Sequence, residues 1–318
     1  SVSISEKTSK LHKSPKEKRN QERQGRKNSV NKLRKLNERI RTIELELANI
    51  NSEINKLESV FIDPTTIDDP DKIAEFGITF KDLQNRSKEL GIDLTQIQVN
   101  LFERYYCELI KWNAGINLTS VTNWTDVQTK HFLDSLTVSL AIPEIMLESG
   151  RFVDIGSGGG FPGMPLKISF PKLNATLIDS TAKKTSFLRS LNDILQISDV
   201  NVLTGRSETF AHEIELRESF DFVLVRAVGT MAVLAELALP FCRLGGMVIA
   251  HKTLEIEEEI NQSIVAIEAM GGELTEVKVV DVAWYNKPRS LVVLKKIHST
   301  PGQYPRRPGM PKKYPILN

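Results

Sequence analysis

The residues best suited to chemistry lie in a glycine-rich stretch, FVDIGSGGGFPG, at residues 152–163. It starts within a short apolar run typical of a buried strand, so the glycines would form the turn that leaves this strand. Such a turn lets the backbone approach a ligand, and N–H groups at the start of the next helix point at it. A dinucleotide fingerprint starting at Gly156 requires glycine at position 161, where this chain has Phe161. The stretch predicts a ligand-binding loop and disfavours a nicotinamide oxidoreductase.

A carboxylate just before the loop narrows the choice of ligand. Asp154 lies two residues before Gly156, at the end of the predicted strand. A negative charge at this place repels a pyrophosphate but attracts an ammonium group. S-adenosylmethionine has a cationic methionine end, so it is the predicted cofactor. Asp154, Gly156 and Gly158 are among the residues expected to bind it.

A second carboxylate follows at the end of the next predicted strand. Asp179 has about the spacing expected for an acid that accepts hydrogen bonds from the two ribose hydroxyls of a nucleoside. Nicotinamide enzymes place an acid there too, so Asp179 supports nucleoside binding without choosing the cofactor. A helix N-cap beside Ser180 and Thr181 is the alternative role.

Strands and helices alternate after residue 150 and must position these carboxylates. The strand-like runs are RFVDI, NATLID, VNVLTG, FDFVLVRA and GGMVIAHK, with helical segments such as MPLKISF and TAKKTSFLRSLNDIL between them. This alternation predicts an α/β fold with a mostly parallel sheet and helices on both faces. VKVVDVAWYN and RSLVVLKKI predict an antiparallel pair at the sheet edge. Two amphipathic helices, LTQIQVNLFERYYCELIKWNAGI and TDVQTKHFLDSLTVSLAI, precede the sheet.

The N-terminal third has a different character. Residues 1–30 are basic and almost without apolar side chains, so we expect them to be disordered. From Leu33 to Phe61, apolar residues recur at alternating spacings of three and four, which predicts a coiled-coil helix. A shorter apolar series, interrupted by Ser87, follows a proline. We predict an antiparallel helical hairpin over residues 31–90, with a coiled coil that joins two chains as the alternative.

Bulk composition limits the class of protein. The 318 residues, 40% of them apolar, suit one large domain with an appendage. Cys107 and Cys242 are far apart, which excludes a zinc or disulfide framework and predicts two buried thiols. No apolar run is long enough for a membrane span, and the N-terminus lacks the apolar core of a secretory signal. The expected location is the cytoplasm.

Charge is segregated along the chain although its net value is only +2. Residues 1–40 carry 13 Lys and Arg against 4 Asp and Glu, and residues 286–318 carry 8 against none. Basic ends suit a polyanion because Lys and Arg at phosphates release counterions; a solvated tail that aids solubility is the alternative. The proline-rich tail, residues 299–318, is expected to be extended. The residues of this tail predicted to contact such a polyanion are Arg306, Arg307, Lys312 and Lys313 through its phosphates, and Tyr304 and Tyr314 through stacking.

From about residue 92 onward the chain resembles the RsmG (GidB) family of 16S rRNA guanine-N7 methyltransferases. The runs that carry the resemblance, in the same order over some 225 residues, are WNAGINLTSVT, KHFLDSL, VDIGSGGGFPGMPLKI, LIDSTAKKTSFL, GRSETF and VRAV. The resemblance implies a class I S-adenosylmethionine-dependent fold, Rossmann-like with seven strands. The methyltransferase domain would span residues 91–298, with N-terminal helices over 91–150 and the Rossmann-like core over 151–298. The helical extension before it is similar to the C-terminal coiled-coil arm of ABC-F-type ATPases.

The resemblance also implies roles for particular residues. The positions that match the family's cofactor-binding residues are Gly156, Phe161, Ser207, Glu208 and Arg226. Ser207 departs from the family's usual alanine, and Thr253 from its usual glycine. Arg226 matches the arginine that closes the site; a simple ion pair at the strand end is disfavoured, because FDFVLV offers only apolar neighbours. His131 matches the family's H-x-x-D-S and is a candidate for contact with RNA or cofactor, although a structural role is the alternative.

The implied reaction needs little chemistry from the protein. N7 of guanine carries its lone pair in the ring plane and no proton, so no general base is required. Catalysis would consist of holding the base in line with the sulfonium methyl, after the guanine has left its stack. The implied partner is 16S rRNA in the small ribosomal subunit or its precursor. The alternatives are a methyltransferase of another substrate, and an RNA-binding assembly factor that acts mainly through its N-terminal arm.

Overall fold

The computed structural model describes residues 82–318, together with Lys35, Arg39 and Arg41. The chain divides into two compact units, Ser1–Ile73 and Ala74–Asn318. In the first unit, the three described residues are helical and exposed. The expectations of a disordered start and of a coiled-coil hairpin lie outside the described residues, apart from the last part of the hairpin.

Seven strands of the described chain form one sheet, in the spatial order β3-β2-β1-β4-β5-β7-β6. The first five pair in parallel, and β7 lies antiparallel between β5 and β6. The predicted parallel sheet with an antiparallel pair at its edge is confirmed. The strands are β1 (Arg151–Ile155), β2 (Asn174–Asp179), β3 (Val200–Thr204), β4 (Phe220–Arg226), β5 (Cys242–Thr253), β6 (Gly272–Val280) and β7 (Arg289–Lys296).

Helices connect these strands and precede them. They are α1 (82–89), α2 (Gln96–Asn113), α3 (Trp124–Val127), α4 (Asp134–Leu136), α5 (Glu144–Ser149), α6 (Gly163–Ser169), α7 (Ala182–Leu195), α8 (Ser207–Phe210), α9 (Met231–Ala238), α10 (Glu257–Asn261), α11 (Ile264–Ala269) and α12 (Met310–Lys313). None of these helices combines the length and the apolar character that a membrane span requires.

The central strands are apolar because both faces of the sheet are covered. In β1, four of the five residues are buried, and in β2 five of the six are. Parallel strands that are buried on both faces have continuous apolar sequences, which is why RFVDI and NATLID are recognisable as strands. The carboxyl ends of β1, β2, β3 and β4 meet at one edge of the sheet. Ligands of open α/β folds bind at this edge.

The second predicted amphipathic helix is not regular. A π-helical segment, Gln128–Leu133, separates α3 from α4, and a 3₁₀ segment, Thr137–Ala141, follows. Short π-helical segments inside α-helices often occur at functional sites, because the extra residue turns the side chains that follow it. This segment carries His131, one of the predicted site residues.

The polypeptide before α2 packs with the core of the second unit. Leu83 and Leu90 are buried in the same apolar cluster as Phe102 and Tyr105 of α2. Ser87, which interrupts the apolar series, is fully buried and donates a hydrogen bond to the carbonyl of Gln84. These residues therefore belong to the unit Ala74–Asn318, although the prediction from sequence assigned residues up to 90 to the helical extension.

The expectation of two buried thiols is wrong for one of them. Cys242 is buried at the start of β5, but Cys107 is exposed on α2. Cys107 lies on the polar face of this helix, whereas the apolar face packs through Val99, Phe102 and Tyr105.

Candidate functional site

The glycine loop after β1 has a backbone that requires glycine. Gly156 has a φ of +74° and Gly158 one of +59°, in the left-handed region that side chains avoid. The N–H groups of Gly156 and Ser157 donate to the carbonyl of Ile178, which ties the loop to β2. A Cβ atom on Gly156 would lie 2.9 Å from Cγ2 of Val228. Position 156 therefore needs glycine, because a larger residue there would fill the space beside Val228, just after β4.

Asp154 is a fully buried carboxylate beneath this loop. Its Oδ2 accepts a hydrogen bond of 3.0 Å from the N–H of Gly163, at the start of α6. Its Oδ1 finds no hydrogen-bond partner among the described residues. Burial raises the pKa of Asp154 to about 7, against the opposing effect of the Gly163 N–H. An unpaired carboxylate oxygen in such a place suits a cationic ligand group.

Asp179, at the end of β2, holds two backbone segments together. Its Oδ2 accepts from the N–H of Gly158 at 3.0 Å, and its Oδ1 accepts from the N–H of Thr181 at 2.8 Å. The side chain therefore fixes both the glycine loop and the entry to α7. Each carboxylate oxygen has a second lone pair, so these bonds leave acceptor capacity for ribose hydroxyls.

A cavity of about 580 Å³ opens at the carboxyl ends of the parallel strands. This volume lies within the range of small-molecule sites. The predicted cofactor residues on its wall are Gly156, Asp179, Ser207 and Glu208. The other lining residues are Ile155, Ile178, Ser180, Gly205, Arg206, Val228, Val233, Leu237, Gly309, Pro311, Lys312 and Lys313. Asp154, Gly158, Phe161 and Arg226 are not on this wall.

The C-terminal tail forms one side of the cavity. The N–H of Gly309 donates a hydrogen bond of 2.9 Å to Oε1 of Glu208, and Pro311 is buried against the cavity. The expectation of a wholly extended tail is wrong, because Met310–Lys313 form a helical turn. The local sequence does not predict this helical turn, because contacts with Glu208 and other distant residues fix it.

Arg306 is not a free phosphate ligand, contrary to the sequence prediction. Its guanidinium donates to both carboxylate oxygens of Glu236, at 2.6 Å from NH2 to Oε2 and 2.9 Å from Nε to Oε1. It also donates to the carbonyl of Tyr314. Glu236 is 1% exposed, so this ion pair fixes the tail to α9.

Phe161 belongs to an aromatic stack beside the loop. Its ring lies parallel to that of Tyr105, with centroids 5.5 Å apart, and to the imidazole of His131, with centroids 4.5 Å apart. The hydroxyl of Tyr105 donates to the carbonyl of Gly159. The stack therefore supports the glycine loop from the side of α2. The structure does not bring Phe161 to the cavity wall.

His131 is held as a neutral imidazole. Burial, reinforced by the nearby positive charge of Arg226, lowers the pKa of His131 to about 4. Nδ1 of His131 lies 3.2 Å from NH2 of Arg226 and 3.1 Å from the carbonyl oxygen of Lys130. Nε2 lies 2.7 Å from Oγ1 of Thr119. Both ring nitrogens are engaged, which suits a positioning role.

Arg226, at the end of β4, does form an ion pair, contrary to the sequence prediction. NH1 of Arg226 lies 3.2 Å from Oδ2 of Asp134, a carboxylate that is fully buried at the end of the π-helical segment. The partner comes from another element, and the apolar neighbours along β4 therefore gave no sign of it. Arg226 also lies over the ring of Phe161, 5.8 Å from its centroid.

Asp134 joins three parts of the chain, which the sequence did not reveal. Besides Arg226, it receives a hydrogen bond of 2.6 Å from the hydroxyl of Tyr285 and pairs with Nε of Arg289 at 3.2 Å. Burial alone would raise the pKa of Asp134, but the positive charges of Arg226 and Arg289, together with the neighbouring His251 and the hydrogen bond from Tyr285, lower it on balance. Asp134 is therefore ionised, and it fixes Arg226 against the aromatic stack.

This site fits S-adenosylmethionine. The unpaired buried oxygen of Asp154 suits an ammonium group, and the glycine loop provides a space that a Cβ atom would fill. The remaining acceptor capacity of Asp179 suits ribose hydroxyls, and Val228 and Val233 offer apolar contact on the cavity wall. The sheet order and this loop together define a class I S-adenosylmethionine-dependent methyltransferase.

Comparison with known proteins identifies the family. The chain belongs to the GidB family, described as rRNA small subunit methyltransferase G, whose family model matches residues 98–287. As a member of it, the chain is an S-adenosylmethionine-dependent methyltransferase of ribosomal RNA. The predicted fold class, enzyme class and cofactor are thereby confirmed.

Relatives match the enzyme part of the chain over nearly their whole length. Ribosomal RNA small subunit methyltransferase G of Dehalococcoides mccartyi is 45% identical over 228 residues, which are 72% of this chain and 96% of that protein. The protein of the same name from Desulforamulus reducens is 43% identical over 234 residues, 74% of this chain and 97% of that protein. The one from Bacillus subtilis is 40% identical over 228 residues, 72% of this chain and 95% of that protein.

Proposed function

We propose that this enzyme transfers the methyl group of S-adenosylmethionine to N7 of a guanine in 16S rRNA, within the small ribosomal subunit or its precursor. The membership of the family supports the substrate class. The observation that carries the proposal is the cavity at the carboxyl ends of the strands, with carboxylates in its wall and lysines of the basic tail beside them. An RNA substrate is acidic, so a cationic border suits it.

Asp154, which is buried beneath the glycine loop, and the residues of the cavity wall divide the binding of the cofactor among them. The carboxylate of Asp154 pairs with the ammonium group, and Asp179 accepts hydrogen bonds from the ribose hydroxyls. Ser207, Glu208 and Val228 contact the adenine. When it is bound, S-adenosylmethionine supplies an electrophilic methyl group on a sulfonium centre.

The protein contributes to the reaction by positioning the guanine and the cofactor, and it transfers no proton. N7 of guanine has a free lone pair and loses no proton on methylation, so the reaction needs no general base. The neutral His131 fits this account, because both of its ring nitrogens are engaged by Arg226 and Thr119. Arg226, fixed by Asp134, is a candidate to orient the base edge. Orientation of the two reactants supplies the rate gain.

The RNA reaches the site through the basic tail. Arg307, Lys312 and Lys313 are exposed and free to contact phosphates, whereas Arg306 holds the tail in place. The target guanine leaves its stack to enter the pocket. We also propose a cytoplasmic location for the enzyme, because ribosomal subunits are assembled there. Dimer formation through residues 31–90 is an additional proposal.

Methyl transfer to purified RNA tests this function. The enzyme is incubated with S-adenosylmethionine and with 16S rRNA, small subunits or 23S rRNA that lack the modification, and the nucleosides are analysed by mass spectrometry. We expect N7-methylguanosine in 16S rRNA or in small subunits, and none in 23S rRNA. Transfer to no RNA, together with measurable cofactor binding, would contradict the proposal and favour a methyltransferase of another substrate.

An assembly factor that acts through its N-terminal arm is the second candidate, because residues 1–40 are strongly basic. Removal of residues 1–73 leaves the unit Ala74–Asn318 whole. If the shortened enzyme retains its turnover and RNA affinity, the arm is accessory. If RNA affinity is lost while cofactor binding persists, the arm is the RNA-binding module.

A further inference from the structure

Three exposed cations border the cofactor cavity. Arg206 precedes α8, and Lys312 and Lys313 belong to the helical turn of the tail. All three line the cavity, and none of them is in an ion pair within residues 82–318. We call these three residues the cationic rim. Cations gathered from two separate elements at one opening indicate an anionic ligand.

The cofactor alone does not balance this charge. Its adenosine part is uncharged, and its methionine end carries one carboxylate against an ammonium and a sulfonium group, so the bound cofactor adds a net positive charge. Two carboxylates, Asp179 and Glu208, line the same cavity, so the three cations of the rim exceed the negative charges of the wall by one. With the net positive charge of the cofactor added, an anion from outside the protein is the group that suits the rim.

The tail presents its lysines from a fixed position. Arg306 is paired with the buried Glu236, and the guanidinium of Arg217 donates to the carbonyls of Tyr304 and Thr300 at 2.9 and 2.8 Å. A rigid support lowers the entropy that a ligand must overcome to order its contacts. The backbone that carries the rim is also the wall of the cavity, so any ligand of the rim lies beside the bound cofactor.

We propose that a phosphate of the substrate RNA binds the cationic rim and lies across the mouth of the cofactor cavity, so that bound RNA slows release of the cofactor. This inference rests on the proposed function. The coupling is reciprocal: if bound RNA raises the affinity of the enzyme for the cofactor, the bound cofactor raises the affinity of the enzyme for RNA by the same factor. The enzyme would then hold both reactants together until transfer.

The test measures release of the labelled product S-adenosylhomocysteine from the full-length chain. Release is followed in three conditions: without RNA, with RNA, and with inorganic phosphate. The RNA is unmodified 16S rRNA or the unmodified small subunit, whichever of the two accepts methyl groups. The variants are Lys312→Gln/Lys313→Gln and Arg206→Gln. The matched control is Lys172→Gln/Lys295→Gln, which removes two exposed lysines at the opposite edge of the sheet.

The wild-type enzyme should release the product at least about five-fold more slowly with RNA than without it. In Lys312→Gln/Lys313→Gln this ratio should fall towards one, and the logarithmic salt slope of RNA affinity should decrease by about 1.4, or 0.7 for each lost phosphate contact. Arg206→Gln should show a smaller change in the same direction, and the control pair should behave as the wild type does.

Two results would overturn the inference. One is an unchanged RNA effect in the lysine variant and in Arg206→Gln, provided that circular dichroism shows both to be folded. The other is inorganic phosphate slowing release as much as RNA does, which would indicate a free-anion site. Methyl transfer by the wild type is measured in the same preparation. Absent transfer contradicts the proposed function, whereas transfer without coupling contradicts only this inference.

Discussion

Replacing Arg306 by glutamine should destabilise the enzyme and loosen one wall of its cofactor cavity. The side chain of Glu236 is 1% exposed and that of Arg306 27% exposed, with the two groups joined by hydrogen bonds of 2.6 and 2.9 Å. Removal of one partner leaves a buried carboxylate without a counter-charge, which costs about 3–5 kcal/mol. Because Arg306 is partly exposed, we take the lower end, about 3 kcal/mol, which corresponds to a decrease in Tm of about 6–12 °C for a domain of this size.

Calorimetry of four proteins tests this reasoning. Arg307→Gln removes an exposed neighbouring charge and should leave the Tm within about 2 °C of the wild type. Glu236→Gln/Arg306→Gln removes both charges and should be more stable than Arg306→Gln alone, since no unpaired buried charge remains. Arg306→Gln should also weaken cofactor binding. The reasoning is refuted if Arg306→Gln melts with the wild type, or if the double variant is no more stable than the single one.

The remaining predictions concern the loop and the groups near it. Gly156→Ala should abolish cofactor binding by displacing Val228, whereas Gly91→Ala, at a φ of +75° with no atom within 4 Å of the added Cβ, should affect only stability; equal cofactor affinities would contradict this. Cofactor affinity should rise as the pH passes upward through the Asp154 pKa of about 7, and Asp154→Asn should bind weakly at every pH, as calorimetric titration can show. Because folding raises that pKa, the stability of the ligand-free enzyme should fall as the pH rises from about 4 to about 7, and the stability of Asp154→Asn should not; pH curves of Tm that run parallel for the two proteins would contradict this prediction. Asp134→Asn should lower kcat more than it changes the cofactor KM, because it releases Arg226, and an unchanged kcat would refute that role.

Much of the fold could be predicted from the sequence because parallel strands leave a strong signal. The two buried faces of these strands produce continuous apolar runs. Two consecutive strand-like runs near the end of the domain, VKVVDVAWYN and RSLVVLKKI, predicted the antiparallel pair at the edge of the sheet. The π-helical segment Gln128–Leu133 could not be predicted, because one extra residue in a turn hardly changes an apolar period. The helical turn of the tail is also invisible locally, since contacts with Glu208 and Glu236 fix that segment.

The site was predictable where a single element carries it. Gly156 and Asp179 lie at strand ends that the sequence shows directly, and both line the cavity. Phe161 stays a predicted cofactor contact, and its stacking between two aromatic rings was not predicted because that pairing depends on tertiary packing. The partners of Asp134 were missed for the same reason, because Tyr285 and Arg289 lie some 150 positions further along the chain. Long-range ion pairs leave no periodic signal.

The most direct test of the whole account is transfer of a labelled methyl group from S-adenosylmethionine to small subunits or 16S rRNA that lack the modification. Wild type, Asp154→Ala and Lys172→Gln, which removes an exposed lysine away from the cavity, are compared at pH 8, where the carboxylate is ionised. We predict that the wild type and Lys172→Gln place label on N7 of guanine in 16S rRNA, and that Asp154→Ala does so at least about a hundred-fold more slowly, as expected when a cofactor ligand is removed. Label on another molecule, or an Asp154→Ala variant as active as the wild type, would contradict the account.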